Sequence, residues 1–147
     1  MILPTDSKAR KEIPVTTGVL DYFPLAIAAV AAVSKKGNER HNPGEPLRWS
    51  REKSSDHRDC VARHLIDAGP DGQGVDENGD LHLAACAWRA LAALQVAIEA
   101  KRDIRATVNE VTAECKANAL SGTEVTERAR EMAIERAREI LESKGLT

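Results

Sequence analysis

Aromatic residues are scarce in this sequence: one tyrosine, one phenylalanine and two tryptophans make up 3% of its 147 residues. β-Sandwiches draw on aromatic and β-branched side chains, so the scarcity disfavours that class of fold. Alanine, glutamate, arginine and leucine are frequent instead, and all four favour helices. We therefore predict an all-α protein, a helical bundle of about four to five helices.

An excess of positive charge is also lacking, because 21 Lys and Arg residues face 23 Asp and Glu residues and give a net charge of −2. A general DNA- or RNA-binding protein would carry a basic excess, so no nucleic-acid partner is expected. A nucleotide ligand stays compatible with this charge, because a bound metal ion neutralises phosphate groups locally.

The sequence has neither paired cysteines nor an apolar leader. Its three cysteines form no C-x-x-C spacing, which indicates free thiols in a reducing compartment. No window approaches the length and apolarity of a membrane-spanning helix, and the first residues lack the apolar segment of a signal peptide. We expect a soluble cytoplasmic protein with no membrane partner.

Three common catalytic motifs are missing as well. Neither G-x-x-x-x-G-K-[ST] nor G-x-G-x-x-G occurs, so a P-loop or a Rossmann nucleotide site is excluded as far as motifs can do so. The nucleophile elbow G-x-S-x-G is absent too. Nucleotide chemistry in this chain would have to depend on other groups.

What the sequence does contain is a concentration of metal-binding side chains between residues 35 and 64. An alanine-rich helix is predicted to begin at Pro24 and to end at Gly37–Asn38. A loop with two prolines and a glycine follows, and a second helix, capped by Ser54 or Ser55, begins after it. A loop of this length in a small domain more often has a function than not.

Asp56 and Asp59 are three residues apart on the second predicted helix and therefore point the same way. Glu39, near the end of the first helix, would complete an oxygen-rich site for Mg²⁺ or Mn²⁺. Zinc is disfavoured, because no His-x₃-His or cysteine pair supplies its usual ligands. The alternative is an ordinary charged helix face exposed to solvent.

Two or three such ions would favour phosphoryl transfer or pyrophosphate hydrolysis. His82 and Arg89 share one face of an otherwise apolar helix, which favours a polar cavity, although a lone histidine there is usually a core residue. The side chains predicted to bind phosphate oxygens are Lys35, Lys36, Arg63, His64, His82 and Arg89.

By pattern the chain divides into an N-terminal arm over 1–16, a helical domain over 17–102, and a C-terminal helical extension over 103–147. The helix over 81–100 is apolar almost all round, which is typical of a bundle centre or a subunit interface. The extension carries a narrow apolar stripe among many Arg and Glu residues, and we predict that it serves packing or oligomerisation.

Three stretches resemble the phage dATP/dGTP diphosphohydrolase domain related to MazG: GVLDYFPLAIAAVAAVSKKGNERHNPGEPLRW, KSSDHRDCVARHL and HLAACAWRALAALQ. They are most similar to the guanine-preferring enzymes of phages that replace adenine with 2-aminoadenine. The resemblance implies an all-α nucleoside triphosphate pyrophosphohydrolase in the host cytoplasm. It further implies α–β phosphate cleavage by the domain over 17–102 and an obligate homo-oligomer, either a dimer or a tetramer.

The resemblance also implies a set of site residues. The MazG pattern is E-x-x-E followed by E-x-x-D, and this chain departs from it at Asn42 and at Asp56. The implied catalytic and metal-binding residues are Glu39, Asp56 and Asp59, with Asp76 as an additional metal ligand and His41 and His64 in supporting roles. A rival placement puts the E-x-x-D on Glu77–Asp80, in a Gly/Asp-rich loop.

A purine base would need a stacking surface and hydrogen bonds to its edge. The base-binding candidates are Tyr22, Phe23 and Trp49 for stacking and Asp21 for the edge, whereas Trp88 is expected in the core. Only the resemblance favours guanine. Another substrate such as dATP or dUTP, or a non-catalytic helical adaptor that oligomerises, are the alternatives.

Overall fold

The structure is a computed structural model that describes residues 3–117 and 122–146. It is 71% helical, and the prediction of an all-α fold with four to five helices is confirmed. The five α-helices are α1 (Ser7–Lys11), α2 (Pro24–His41), α3 (His57–Asp67), α4 (His82–Ala117) and α5 (Gly122–Ser143). Within the described ranges, extended pairing is limited to one isolated antiparallel bridge between Val75 and Leu81.

The chain forms two compact units, one comprising Met1–Trp49 and Val61–Trp88, the other Ser50–Cys60 and Arg89–Thr147. α4 is continuous across residues 102 and 103, because helix propensity persists through its charged segment. The division into an arm, a catalytic domain and an extension stays a prediction.

In the first unit, α2 begins at Pro24, as predicted, because the fixed φ of proline suits the first turn of a helix. The predicted end at Gly37–Asn38 is wrong, since α2 continues to His41. Asn38 is buried inside the helix. Its side chain donates to the Glu45 carbonyl at 3.2 Å and accepts from the Arg48 backbone N–H at 3.2 Å. Asn38 therefore fastens the following loop to the helix without ending it.

In the second unit, Val111 of α4 is fully buried against Ala129, with Met132 packed beside them. Near the end of α5, the Lys144 ammonium lies 3.3 Å from the Asp103 carboxylate of α4. These contacts join the two long helices within the unit. Cys60 is a buried free thiol and Cys86 a partly buried one, as predicted, while the side chain of Cys115 lies outside the described part.

α4 is long and apolar enough over His82–Glu114 to cross a membrane, by length and composition only. The helical segment Ser7–Leu20 and α2 are bent relative to each other, and taken together as one segment they would be a second candidate membrane span. The expectation that no window approaches such a run is therefore wrong. Alanine and leucine dominate the first half of α4, where Arg89 and Glu99 are the charged residues. Core helices of soluble proteins meet the same criterion, so composition alone does not assign α4 to a membrane.

Candidate functional site

The start of α3 carries two of the predicted metal ligands. The helix begins at His57, and the Asp56 carbonyl accepts the first helical hydrogen bond from the Cys60 N–H at 3.0 Å. Asp56 is thus the residue that precedes the helix, and the predicted cap at Ser54 or Ser55 is wrong by one or two residues. Asp59 lies exposed in the first turn, where the helix dipole favours a negative charge.

Two neutral groups donate hydrogen bonds to the Asp56 carboxylate. The Ser54 hydroxyl lies 3.1 Å from Oδ1, and the Cys60 thiol lies 3.4 Å from Oδ2. Hydroxyl and thiol carry no charge, so these two bonds orient the carboxylate without neutralising it. An oriented carboxylate of this kind suits a divalent cation.

Arg89 of α4, predicted to bind phosphate, also contacts this helix start. Its Nη1 donates to the Ser54 Oγ at 2.6 Å and lies 3.4 Å from Nδ1 of His57. Guanidinium cannot accept a hydrogen bond, so the Nδ1 of His57 must be the acceptor. The structure therefore brings Arg89 together with Asp56 through Ser54.

His57 is a buried residue of this site that sequence reasoning missed. Burial lowers the pKa of its imidazole, the neighbouring Arg89 lowers it further, and the Asp56 carboxylate partly opposes both. A lowered pKa keeps the imidazole neutral, which agrees with an accepting Nδ1. Sequence offered no signal for this role, because the partner in α4 is 32 residues away.

In the first unit, the end of α2 presents a row of basic residues to acidic partners. Lys35 pairs with Glu39, one turn along the same helix. Lys36 contacts the Asp80 carboxylate at 2.6 Å, and the guanidinium of Arg40 lies 3.7 Å from the Glu77 carboxylate. Both lysines predicted to bind phosphate are therefore ion-paired in this structure, and Lys35 is paired with a predicted metal ligand.

The loop over 76–80 is organised by the carboxylate of Asp76. Its Oδ1 accepts the backbone N–H groups of Asn78 at 2.8 Å and Asp80 at 3.0 Å. Gly79 supplies the positive φ of 76° that the turn requires. Burial raises the pKa of Asp76, but the hydrogen bonds from Asp80 and Asn78 outweigh it, so that the pKa lies below its usual value. Asp76 thus has a structural role in its own loop.

His64 of α3 and His82 of α4 are brought together, although they lie in different helices. Their Nδ1 atoms are 3.1 Å apart and both rings are partly buried. One Nδ1 must carry the proton and the other must accept it, because two protonated nitrogens would repel. Arg63, the remaining candidate for phosphate binding, is exposed on α3.

The base-binding candidates occupy two places in the first unit. Asp21, Tyr22 and Phe23 form the exposed turn before α2, where the two rings meet edge to face with centroids 6.0 Å apart. The Trp49 ring packs edge to face on Trp88 with centroids 5.8 Å apart. Trp49 therefore packs against Trp88, the tryptophan that we expected in the core.

The predicted metal ligands fit Mg²⁺ or Mn²⁺ by chemistry, since all are carboxylates and the Asp56 group is held by neutral donors. Across residues 3–117 and 122–146, no three His, Cys, Asp or Glu side chains are grouped so as to hold an ion. As metal ligands, Glu39, Asp56, Asp59 and Asp76 stay predictions.

The all-α fold and the carboxylates at the start of α3 agree with a helical nucleotide hydrolase, the class of protein that the sequence resembles. The family model described as dATP/dGTP diphosphohydrolase, N-terminal, matches residues 4–105. The chain therefore belongs to this family, whose name indicates a hydrolase with a nucleotide substrate, dATP or dGTP. A search of curated proteins and a search of solved structures found no match.

Proposed function

We propose that the protein is a metal-dependent diphosphohydrolase that converts dGTP, and GTP, to the monophosphate and pyrophosphate. The observation that carries the proposal is the family match over residues 4–105, which includes both Asp56 and Asp59 at the start of α3. Water adds to phosphorus, and the bond between the α phosphorus and the bridging oxygen breaks. Pyrophosphate leaves with that oxygen.

In this proposal Asp56, Asp59 and Glu39 bind two or three Mg²⁺ or Mn²⁺ ions, with Asp76 as a further candidate. When bound, the ions would neutralise the triphosphate and activate water. Phosphate oxygens would be held by Arg63, Arg89, Lys35 or Lys36, and the last two would first have to leave their carboxylate partners.

Two finer parts of the proposal rest on resemblance alone. The three stretches quoted above resemble MazG-like enzymes and, most closely, the phage enzyme MazZ. On that ground we propose a preference for guanine and a role in supplying precursor for phage DNA that contains 2-aminoadenine. The exposed rings of Tyr22 and Phe23, 70% and 54% accessible, are the proposed stacking surface for the base.

The reaction is tested by incubating the purified protein with dGTP and Mn²⁺ and separating the products by ion-exchange chromatography. We expect dGMP and pyrophosphate, and chelation with EDTA should stop the reaction. Formation of dGDP and orthophosphate would overturn the assigned cleavage. Parallel reactions with dATP and dUTP test the base preference, and faster turnover of either would overturn the choice of guanine. If dGTP with Mn²⁺ neither reacts nor raises the melting temperature, the non-catalytic adaptor replaces the enzyme.

Glu39→Gln tests the metal ligand on α2. Glu39 is 59% exposed in its side chain, so the substitution should leave the helical fold intact while activity is lost. Glu45→Gln is the matched control, because Glu45 is also an exposed glutamate paired with a basic side chain, Arg48. Full activity in Glu39→Gln would remove Glu39 from the metal site.

We also propose a homo-oligomer formed through α4. Leu91, Leu94 and Ile98 lie on one face of this helix at intervals of three and four residues, and each is at least half exposed. A continuous apolar face of this kind favours burial against a second copy. Light scattering with Leu94→Glu tests this, since a smaller particle is expected. An unchanged mass, or partition of the wild type into lipid vesicles, would contradict it.

A further inference from the structure

The hydrogen bonds at the start of α3 form a chain that leads from Arg89 to Asp56. Arg89 Nη1 lies 2.6 Å from the Ser54 Oγ, which in turn lies 3.1 Å from Oδ1 of Asp56. A guanidinium only donates hydrogen bonds and a carboxylate only accepts them. The Ser54 hydroxyl must therefore accept from Arg89 and donate its proton to Asp56.

The backbone holds Ser54 in place for this contact. Ser54 is partly buried and extended, with φ −154° and ψ 118°, and it ends the 3₁₀ turn Arg51–Lys53. That turn is itself attached to α4, because the Arg51 guanidinium contacts the Glu99 carboxylate at 3.1 Å. Ser54 is thus restrained by its backbone and by both hydrogen-bond partners of its hydroxyl.

We infer that Ser54 is a positioning residue that orients the Asp56 carboxylate toward a divalent cation. Ser54 fixes Oδ1 of Asp56, and the buried Cys60 thiol, 3.4 Å from Oδ2, fixes the other oxygen. Together they set the plane of the carboxylate before a cation binds, which is how outer-shell hydrogen bonds tune metal ligands. The inference rests on the proposed function, because it takes Asp56 as a metal ligand.

The positioning role is specific to Ser54 and does not extend to its neighbour. Ser55 follows directly in the sequence and is exposed. The Ser54 hydroxyl donates to Asp56 Oδ1 and is also engaged by Arg89. A substitution at Ser55 therefore removes an equal hydroxyl from the same segment and serves as the matched control.

The test compares Ser54→Thr with Ser54→Val, which have the same shape and differ in one hydroxyl. An extended backbone accommodates both β-branched side chains. Mn²⁺ binding to the full chain is measured without nucleotide, from the electron paramagnetic resonance signal of free Mn²⁺. We expect Ser54→Thr and Ser55→Ala to bind like the wild type and Ser54→Val to bind about tenfold or more weakly. Excess Mn²⁺ should restore the dGTP hydrolysis of Ser54→Val.

Equal Mn²⁺ affinity in Ser54→Thr and Ser54→Val would overturn the inference and leave the proposed function standing. Equal weakening by Ser55→Ala would also overturn it. A wild-type chain that neither binds Mn²⁺ nor hydrolyses dGTP would instead overturn both. If thermal melting shows that Ser54→Val is destabilised, valine is too large for this partly buried position. Ser54→Ala then replaces it, because alanine removes the same hydroxyl without adding volume, and its Mn²⁺ affinity is compared in the same way.

Discussion

Two segments of this chain carry acidic residues at the same spacing and yet differ in structure. Asp56 and Asp59 are three residues apart at the start of α3, and Glu77 and Asp80 are three residues apart in the loop before α4. In the loop, Arg40 and Lys36 of α2 form ion pairs with the two acidic groups. At the helix start, the Asp56 carboxylate meets the neutral donors Ser54 and Cys60.

The same spacing of carboxylates therefore occurs in two different hydrogen-bonding environments. In the loop, Glu77 and Asp80 pair with cationic side chains, and Asp76 sets the shape of the loop through backbone hydrogen bonds. At the start of α3, the Ser54 hydroxyl and the Cys60 thiol orient the Asp56 carboxylate, and carboxylates are the ligands that Mg²⁺ and Mn²⁺ prefer. We therefore propose that Asp56 and Asp59 bind the cation and that Glu77 and Asp80 pair with α2.

The largest expected effect is a difference in dGTP hydrolysis between a variant at the start of α3 and a variant in the loop. Asp59→Asn should lower dGTP hydrolysis by at least about 100-fold, because an amide replaces the charged carboxylate that we propose as a metal ligand. Asp80→Asn makes the same chemical change in the loop and should leave turnover close to that of the wild type. Both variants should keep their helical circular dichroism, since Asp59 is exposed and Asp80 is only partly buried. A loss of dGTP hydrolysis in Asp80→Asn alone would show that the metal site lies in the loop.

A smaller effect concerns the stability of the loop. Asp76→Ala should lower the free energy of unfolding by about 1–2 kcal/mol, because two backbone N–H groups lose their acceptor. Glu77→Ala in the same loop should change it little, since its ion pair with Arg40 is exposed and 3.7 Å long. Urea unfolding monitored by circular dichroism measures both. Equal losses would show that Asp76 does not organise the loop.

The hydrogen bonds to the Asp76 carboxylate also predict how the free energy of unfolding changes with pH. The folded-state pKa of Asp76 lies below its unfolded value of 3.8, so the charged group stabilises the fold at any pH above that value. This contribution is lost as the pH falls through the folded pKa. The difference in unfolding free energy between wild type and Asp76→Ala should therefore be constant near neutral pH and shrink below about pH 4. A difference that grows on acidification would contradict the assigned hydrogen bonds.

The smallest effect tests whether Lys36 serves the loop or the substrate. The Lys36 side chain that contacts Asp80 at 2.6 Å is 44% exposed, so Lys36→Met should lower the free energy of unfolding by less than about 1 kcal/mol, and by less still at high salt. If Lys36 only pairs with Asp80, Lys36→Met and Asp80→Asn will leave KM unchanged. A raised KM in Lys36→Met alone would show that Lys36 leaves the loop to bind phosphate.

Local chemistry made part of the fold predictable. Composition gave the all-α class, Pro24 marked the start of α2, and the Gly/Asp-rich segment before α4 was correctly predicted as a loop. Gly37–Asn38 was misleading, because the partners of the Asn38 side chain lie in the loop that follows. A local signal for a helix end was therefore outweighed by tertiary hydrogen bonds.

The candidate site was less predictable, because its contacts join residues far apart in the sequence. Ser54 was predicted as a helix cap from its type, whereas its hydroxyl lies between Asp56 and Arg89, 35 residues further along. His57 carried no pattern that would mark it as buried against the same arginine. The pairing of His64 with His82 likewise depends on how α3 meets α4 in the first unit.

The central proposal is that Asp56 and Asp59 at the start of α3 bind the cation and that Glu77 and Asp80 in the loop before α4 do not. A Mn²⁺ titration of the nucleotide-free chain tests it on two double variants, Asp56→Asn/Asp59→Asn and Glu77→Gln/Asp80→Asn. Each removes two negative charges at the same spacing. The first variant should lose Mn²⁺ binding, and the second should keep the wild-type affinity. Retained binding in the first variant, together with loss in the second, would contradict the proposal.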